Sequence, residues 1–230
     1  MAHVLLGGLD DVCRVDGDEG HHLQRVRRLR VGERVTAADG DGRWRAYEVS
    51  DSSPGCLGLA AAGPVREEPR PRPGLAVAFA LTKGGHPELV VQKLTELGVD
   101  RILPVTAARS VARWQGERAT EGVGRLRRVV RAAAAQCRRA RLPEVEDLAP
   151  LCSLAGHPAV VVADRAGDPL GALAPPAGGE WLVVVGPEGG VEASEVEALS
   201  PVATLRVGPH VLRAETAALA VAAALTTRRV

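Results

Sequence analysis

Aromatic side chains are nearly absent from this 230-residue chain, at 2% of the sequence. That excludes the stacking platforms on which single-strand nucleic-acid binders lay successive bases, so any contact with nucleic acid has to come from arginine. Cysteine is sparse too. Cys13, Cys56, Cys137 and Cys152 form no CxxC pair, which fits reduced thiols better than a disulfide frame or a zinc site, and no metal is expected. No run of eighteen apolar residues occurs, and MAHVLLGGLDD has no basic stretch ahead of an apolar one. The expected location is therefore cytoplasmic, with no membrane partner. Neither GxGxxG nor GxxxxGK[ST] is present, which disfavours a dinucleotide or a nucleoside triphosphate. Lysine is confined to Lys83 and Lys93, and every other basic side chain apart from histidine is arginine.

What the chain does hold is 46% hydrophobic residues, enough for a substantial core in one large domain or two small ones. Its formal net charge is only +1, yet the charge is segregated. Arg25, Arg27, Arg28, Arg30 and Arg34 face a single acid, Glu33, across residues 21–34. Residues 122–143 carry Arg125, Arg127, Arg128, Arg131, Arg138, Arg139 and Arg141 and no acid. A solvated helix face usually mixes signs, so these segments point to phosphate as readily as to solvent.

Residues 1 to about 62 read as short alternating strands broken by Asp39-Gly40, Asp41-Gly42 and Pro54-Gly55, the spacing of a small barrel or meander. Within this region, just before VTAADG, a short helix over 21–28 would turn Leu23, Val26 and the following Leu29 inward and leave Arg25 and Arg28 on another face. GPVREEPRPRPG, residues 63–74, is dense in proline and charge and reads as a linker. From Leu75 the pattern becomes α/β. LAVAFAL is a buried strand, Pro87 opens a helix that closes at Gly98, RILPV is the next strand, and residues 119–141 form the longest helix, with Val123, Leu126, Val130, Ala133 and Cys137 inward. AVVVA, residues 159–163, is a further strand. Strands alternating with helices predict a mostly parallel sheet covered on both faces.

Two stretches near the C-terminus share one design. WLVVVGPEGG and ATLRVGPHVL each run a β-branched strand into Gly-Pro, at Gly186-Pro187 and Gly208-Pro209. Ser194 and Glu197 have the spacing of a capping box after the first loop, and Glu215 stands where a helix begins after the second. Small molecules bind beyond the C-terminal ends of such strands, where glycine lets backbone groups approach. Taken alone, Gly-Pro could equally be a plain turn, and Glu215 a first-turn carboxylate interacting with the helix dipole.

Taken in order, HHLQRVRRLRVGE, LTKGG, VVQKLTELGVDRILPVTAARSV, AQCRRARLPEV, VVVGPEGGVEASEV and LRVGPHVLRAETAALA span residues 21–220. This set resembles the ribosomal RNA small subunit methyltransferase E family, in the SPOUT class. The resemblance implies an α/β fold: a SPOUT trefoil-knot domain over 74–230 with a small N-terminal PUA-like β-barrel over 1–70. It implies S-adenosylmethionine as cofactor, methylation of N3 of a specific uridine in 16S ribosomal RNA, the small ribosomal subunit as partner, and a homodimer. It further implies cofactor binding by Val185, Gly186, Pro187, Glu188, Gly189, Gly190, Val207, Gly208, His210, Val211, Leu212 and Ala217. Arg213, Glu215 and Arg139, with Thr216 nearby, become the candidates for the uridine and the chemistry. Arg25, Arg28, Lys83, Arg109, Arg138 and Arg141 become the RNA contacts. The chain departs from the family pattern at Ala135, His210 and Ala214. The competing readings are a noncatalytic RNA-binding or assembly protein and a ribose 2′-O methyltransferase of another SPOUT branch.

Overall fold

The computed structural model describes residues 1–25, 27–82, 86–176 and 179–230. Val26, Lys83 and the rest of the 83–85 loop lie outside the described residues. The chain divides into two compact units, Met1–Pro69 with Arg131–Leu142, and Arg70–Val130 with Pro143–Val230.

The first unit is a mixed sheet. Strands β1 (Ala2–Leu5), β2 (Val12–Val15), β3 (Arg34–Ala38), β4 (Arg43–Ser53) and β5 (Cys56–Ala61) lie in the order β1-β3-β4-β5-β2. Among these strands β1 and β3 pair in parallel and the other pairs are antiparallel. Alternation along these strands turns Val4, Val35, Tyr47, Val49, Leu57 and Leu59 into one apolar core. Tyr47 is fully buried, its hydroxyl donating to the carbonyl of Asp10 at 2.8 Å, and burial pushes its pKa well above the ordinary tyrosine value.

Helix α1 (Gly17–Arg25) starts four residues earlier than the sequence pattern suggests and stops sooner. Gly20 allows the early start, because a Cβ there would meet the carbonyl oxygens of Gly55 at 2.5 Å and Val15 at 2.6 Å. Arg28, with φ of 55°, is in the left-handed region and cannot extend a helix. The proline-rich 63–74 segment is not uniform linker either. It contains strand β6 (Arg66–Glu67), paired to β4, with the Arg66 guanidinium 5.3 Å from the centre of the Trp44 ring.

The long helix α3 (Glu117–Cys137) ends before Arg138, whose φ of 61° and the Arg139 N–H to Ala134 carbonyl bond of 3.0 Å form a left-handed C-terminal cap. Val123, Leu126, Val130 and Ala133 are buried as the 3.6-residue period requires, whereas Cys137 is exposed in the last turn. The tail beyond the helix is held inside the first unit. Glu68 Oε2 accepts from the N–H groups of Ala140 at 2.6 Å and Arg141 at 3.2 Å, and Leu142 N–H donates to the Gly40 carbonyl at 2.8 Å. Leu5, Ala38, Ala134 and Ala140 form a separate small core there.

The second unit is a parallel sheet of β7 (Gly74–Ala80), β8 (Arg101–Thr106), β10 (Ala149–Pro150), β11 (Val160–Pro169), β12 (Glu180–Val185) and β13 (Ala203–Arg206), ordered β10-β8-β7-β12-β11-β13, with β9 (Glu144–Val145) beside β8. Its central strands are apolar on both faces, as a sheet covered on both sides demands. Helices α2 (His86–Glu96) and α5 (Ala214–Thr226) pack on each other, burying Val90, Val91 and Leu94 on one and Ala218, Val221, Ala222 and Leu225 on the other. The chain end is clasped: Arg72 and Val230 exchange backbone hydrogen bonds, and the Arg229 guanidinium, 1% exposed, bonds Asp100 and the carbonyls of Pro73 and Gly98.

Candidate active site

The glycine-proline loops follow β12 and β13, which are not neighbours in the sheet: β11 runs between them. The three strands end side by side, and beyond their C-terminal ends lies a cavity of about 420 Å³. That volume is within the range of small-molecule and cofactor pockets. Val185 and the whole Gly186–Gly190 loop line it, as do Val207, Gly208, His210, Val211, Leu212 and Ala217. Every position expected at a cofactor is therefore in its wall. The sequence reading missed Ala163, Asp164 and Arg165 at the end of β11, and Arg206. The signal for the first three was available, since AVVVA is followed directly by a charged pair at a strand end.

The first loop is built by close approach. A Cβ on Gly186 would come within 2.7 Å of Val191 Cγ2, and Gly190 has φ of 76°, which glycine alone adopts readily. Helix α4 (Ala193–Leu199) then begins at Glu192, not at Ser194. The capping box is Glu192 with Glu195. Glu195 Oε2 accepts from the Glu192 N–H at 3.1 Å, while its Oε1 accepts from the Ala108 N–H at 2.8 Å and so ties α4 to the loop after β8. Arg109, an expected RNA contact, also braces this loop: it donates to the Gly189 carbonyl at 2.9 Å and lies 3.4 Å from Glu192.

The candidates for chemistry are placed differently from the cofactor loops. Ala214 and Ala217 face the cavity from the first turn of α5, so Glu215, rotated about 100° from Ala214, points elsewhere. Its Oε1 lies 3.3 Å from His86 Nδ1, at the start of α2. Arg213 is exposed at the N-cap of α5, and neither it nor Thr216 lines the cavity. Arg139 belongs to the first unit. There Arg25 and Arg28 are exposed, and Arg138 lines a surface groove. Arg141 is largely buried against Gly42, with Glu67 at 3.8 Å. Among the described residues no cluster of histidine, cysteine and carboxylate groups suits a metal.

Geometrically this is an α/β protein that receives a small ligand where three parallel strands end, among backbone groups, aliphatic walls and charges of both signs. Comparison with known proteins narrows the class. Residues 68–226 match the model of an RNA methyltransferase domain, and residues 15–55 that of an RNA methyltransferase PUA domain. The chain is 40% identical to the ribosomal RNA small subunit methyltransferase E of Mycobacterium bovis, over 90% of this chain and 83% of that one. It is 31% identical to that of Bacillus subtilis, over 89% and 86%. A crystal structure of the Neisseria gonorrhoeae ribosomal RNA small subunit methyltransferase E bound to S-adenosyl methionine superposes with a TM-score of 0.86 at 25% identity, covering 99% of this chain and 98% of that one. The Legionella pneumophila methyltransferase Lpg2936, in complex with the same cofactor, gives 0.82 at 25%, covering 99% and 96%. The chain belongs to the ribosomal RNA small subunit methyltransferase E family.

Proposed function

We propose that this protein transfers the methyl group of S-adenosylmethionine to N3 of a uridine in 16S ribosomal RNA of the small subunit. The observation that carries this is the convergence of both glycine-proline loops and the end of β11 on one cavity. The residues suit the cofactor. Gly186 and Gly190 leave backbone groups accessible, Val185 and Leu212 offer apolar walls for an adenosine, and Asp164, Glu188, Arg165 and Arg206 provide opposite charges for a zwitterionic tail beside a sulfonium. When bound, S-adenosylmethionine supplies a methyl group already activated by the positive sulfur.

The protein's share of the chemistry is alignment and removal of the N3 proton, without which that nitrogen is a poor nucleophile. Glu215, turned from the cavity wall toward His86 at 3.3 Å, is the candidate base or orients one in this reading, with His86 as the group that steadies it. Arg213, exposed beside the cavity-lining Leu212, or Arg139 is the candidate cation for the developing uracil anion. The first unit, with exposed Arg25 and Arg28, is the RNA-docking module. We read the protein as a cytoplasmic homodimer, in which Val211 and Val202, 74% and 62% exposed, are covered by the second copy.

Incubating the protein with S-adenosylmethionine and small subunits from a strain lacking it, then digesting the RNA for nucleoside mass analysis, tests the reaction. 3-Methyluridine is the expected product. A 2′-O-methylated nucleoside or no product refutes the assignment. Glu215→Gln should keep cofactor affinity and slow turnover at least 100-fold, within the range of general base catalysis. Light scattering that gives the mass of one chain at micromolar concentration would overturn the dimer.

A further inference from the structure

Many arginines of this protein are committed to carboxylates. Arg43 pairs with Asp39, Arg45 with Asp11, Arg101 with Glu146 and Glu180, Arg125 with Glu88, and Arg127 with Asp147. Four that make no side-chain hydrogen bond or ion pair among the described residues, Arg27, Arg34, Arg131 and Arg138, gather on one side of the first unit, where two cavities adjoin. The two share Ala2 and Arg27 as common wall.

Their chemistry differs. The larger, about 490 Å³, has aliphatic sides from Ala2, Leu5, Leu23 and Ala135, and is also lined by Arg27, Arg131, the Gln136 amide and the Asp18 carboxylate, the last two bonded to no other described side chain. His3 also lines it. Burial holds the His3 pKa below its ordinary value, and its Nδ1 lies 2.8 Å from Thr36 Oγ1, so the ring is a fixed neutral wall. The smaller cavity, about 450 Å³, is the more cationic: among the described residues Arg27, Arg34 and Arg138 line it, with Glu33 as their acid. Glu33 Oε2 is already engaged by the Arg30 N–H at 3.1 Å. A flat ring with donors and acceptors on its edge suits the first cavity, and a phosphate suits the second. A nucleotide carries both groups in one molecule, and the two cavities share Ala2 and Arg27.

We propose that this groove of the first unit binds one unpaired nucleotide of single-stranded RNA, its base in the cavity edged by Gln136 and Asp18 and its phosphate on Arg27, Arg34 and Arg138. The inference rests on RNA being the substrate of the reaction above and adds a base-reading subsite outside the cofactor cavity. An unpaired base is required because the edges of a stacked, paired base are not available to a pocket of this kind. With so few aromatic residues in the chain, recognition here falls to aliphatic faces and hydrogen-bonding edges instead of stacking.

The test uses the full chain and a fluorescein-labelled, mixed-sequence single-stranded RNA 12-mer, with its duplex as comparison, read by anisotropy. Ala135→Trp, which fills the larger cavity, and Gln136→Leu, which removes the edge amide, should each weaken single-strand binding about tenfold and leave duplex binding unchanged. Arg27→Ala should weaken it and lower the slope of log affinity against log salt by about one. Single-strand affinity unaltered in both Ala135→Trp and Gln136→Leu overturns the pocket. Equal losses on single strand and duplex overturn it as well, reducing the groove to a charged patch. Uridine monophosphate displacing the 12-mer at equal concentration overturns the RNA assignment in favour of a mononucleotide site. Calorimetry of wild type with S-adenosylmethionine reads the methyltransferase assignment separately, since the groove lies outside the cofactor cavity.

Discussion

Gly186→Ala probes the cofactor cavity at the point where its first loop is tightest. An added methyl would sit 2.7 Å from Val191 Cγ2, 3.2 Å from Val191 N and 3.4 Å from the Gly190 carbonyl carbon. Carbon atoms prefer about 3.5 to 4.0 Å, so Val191 has to move by close to 1 Å. It cannot do so by rotation alone, because a β-branched side chain has few χ1 choices and Val191 packs on the core formed by Ala78, Val162 and Val184. The strain is therefore relieved by shifting the Gly186–Gly190 backbone, the wall of the cavity. Overpacking of this kind costs about 1 to 3 kcal/mol. Expressed as cofactor affinity, that is a loss of about 5- to 150-fold in Kd, measurable by calorimetry with S-adenosylmethionine. Val191→Ala in the same chain removes the obstructing γ-methyl groups and should restore most of the loss. Unchanged affinity in Gly186→Ala, or no recovery in the double variant, would refute the reasoning from close approach.

Three further outcomes are expected. Glu195→Ala removes acceptors for both Glu192 N–H and Ala108 N–H, so it should cost about 1 to 3 kcal/mol and speed amide exchange across residues 107–110 and 189–196; exchange that stays slow there would contradict the brace. Arg229→Ala removes a donor to Asp100, which keeps the Leu75 N–H, and the donor to the carbonyls of Pro73 and Gly98, and urea unfolding should show about 1 to 3 kcal/mol lost; a loss under about 0.5 kcal/mol would count against the clasp. His3 is held below its ordinary pKa by burial, so the unfolded chain binds the proton more readily, and stability contributed by the neutral ring falls as pH drops through the ordinary histidine value near 6.5. His3→Gln should flatten the stability profile between pH 5 and 7; a profile as steep as wild type would assign the acid sensitivity to other groups.

Legibility in the sequence followed the range of the interactions involved. The glycine-proline loops were readable because a buried strand, a turn residue and a following helix are neighbours in the chain, and the cavity wall follows from them. The end of α3 was not. Residues 119–141 keep a helical pattern, but Arg138 adopts a left-handed conformation where Glu68, some seventy residues away, captures the N–H groups of Ala140 and Arg141. The neighbours that Arg109 and Arg141 have in the fold, the Gly189 carbonyl for one and Gly42 with Glu67 for the other, come from distant parts of the chain and left no mark in the local pattern.

By itself the sequence determined most of the strands and helices and the two glycine-proline loops, because apolar period, glycine and proline act over a few residues. It also carried the family, through motifs spread across the chain. Only the tertiary structure decided that β11 separates the two loop-bearing strands, that Glu215 turns from the cavity toward His86, and that the tail of α3 belongs to the first unit. Those outcomes depend on which distant groups compete for the same space and the same hydrogen bonds, and a local pattern contains no record of that competition.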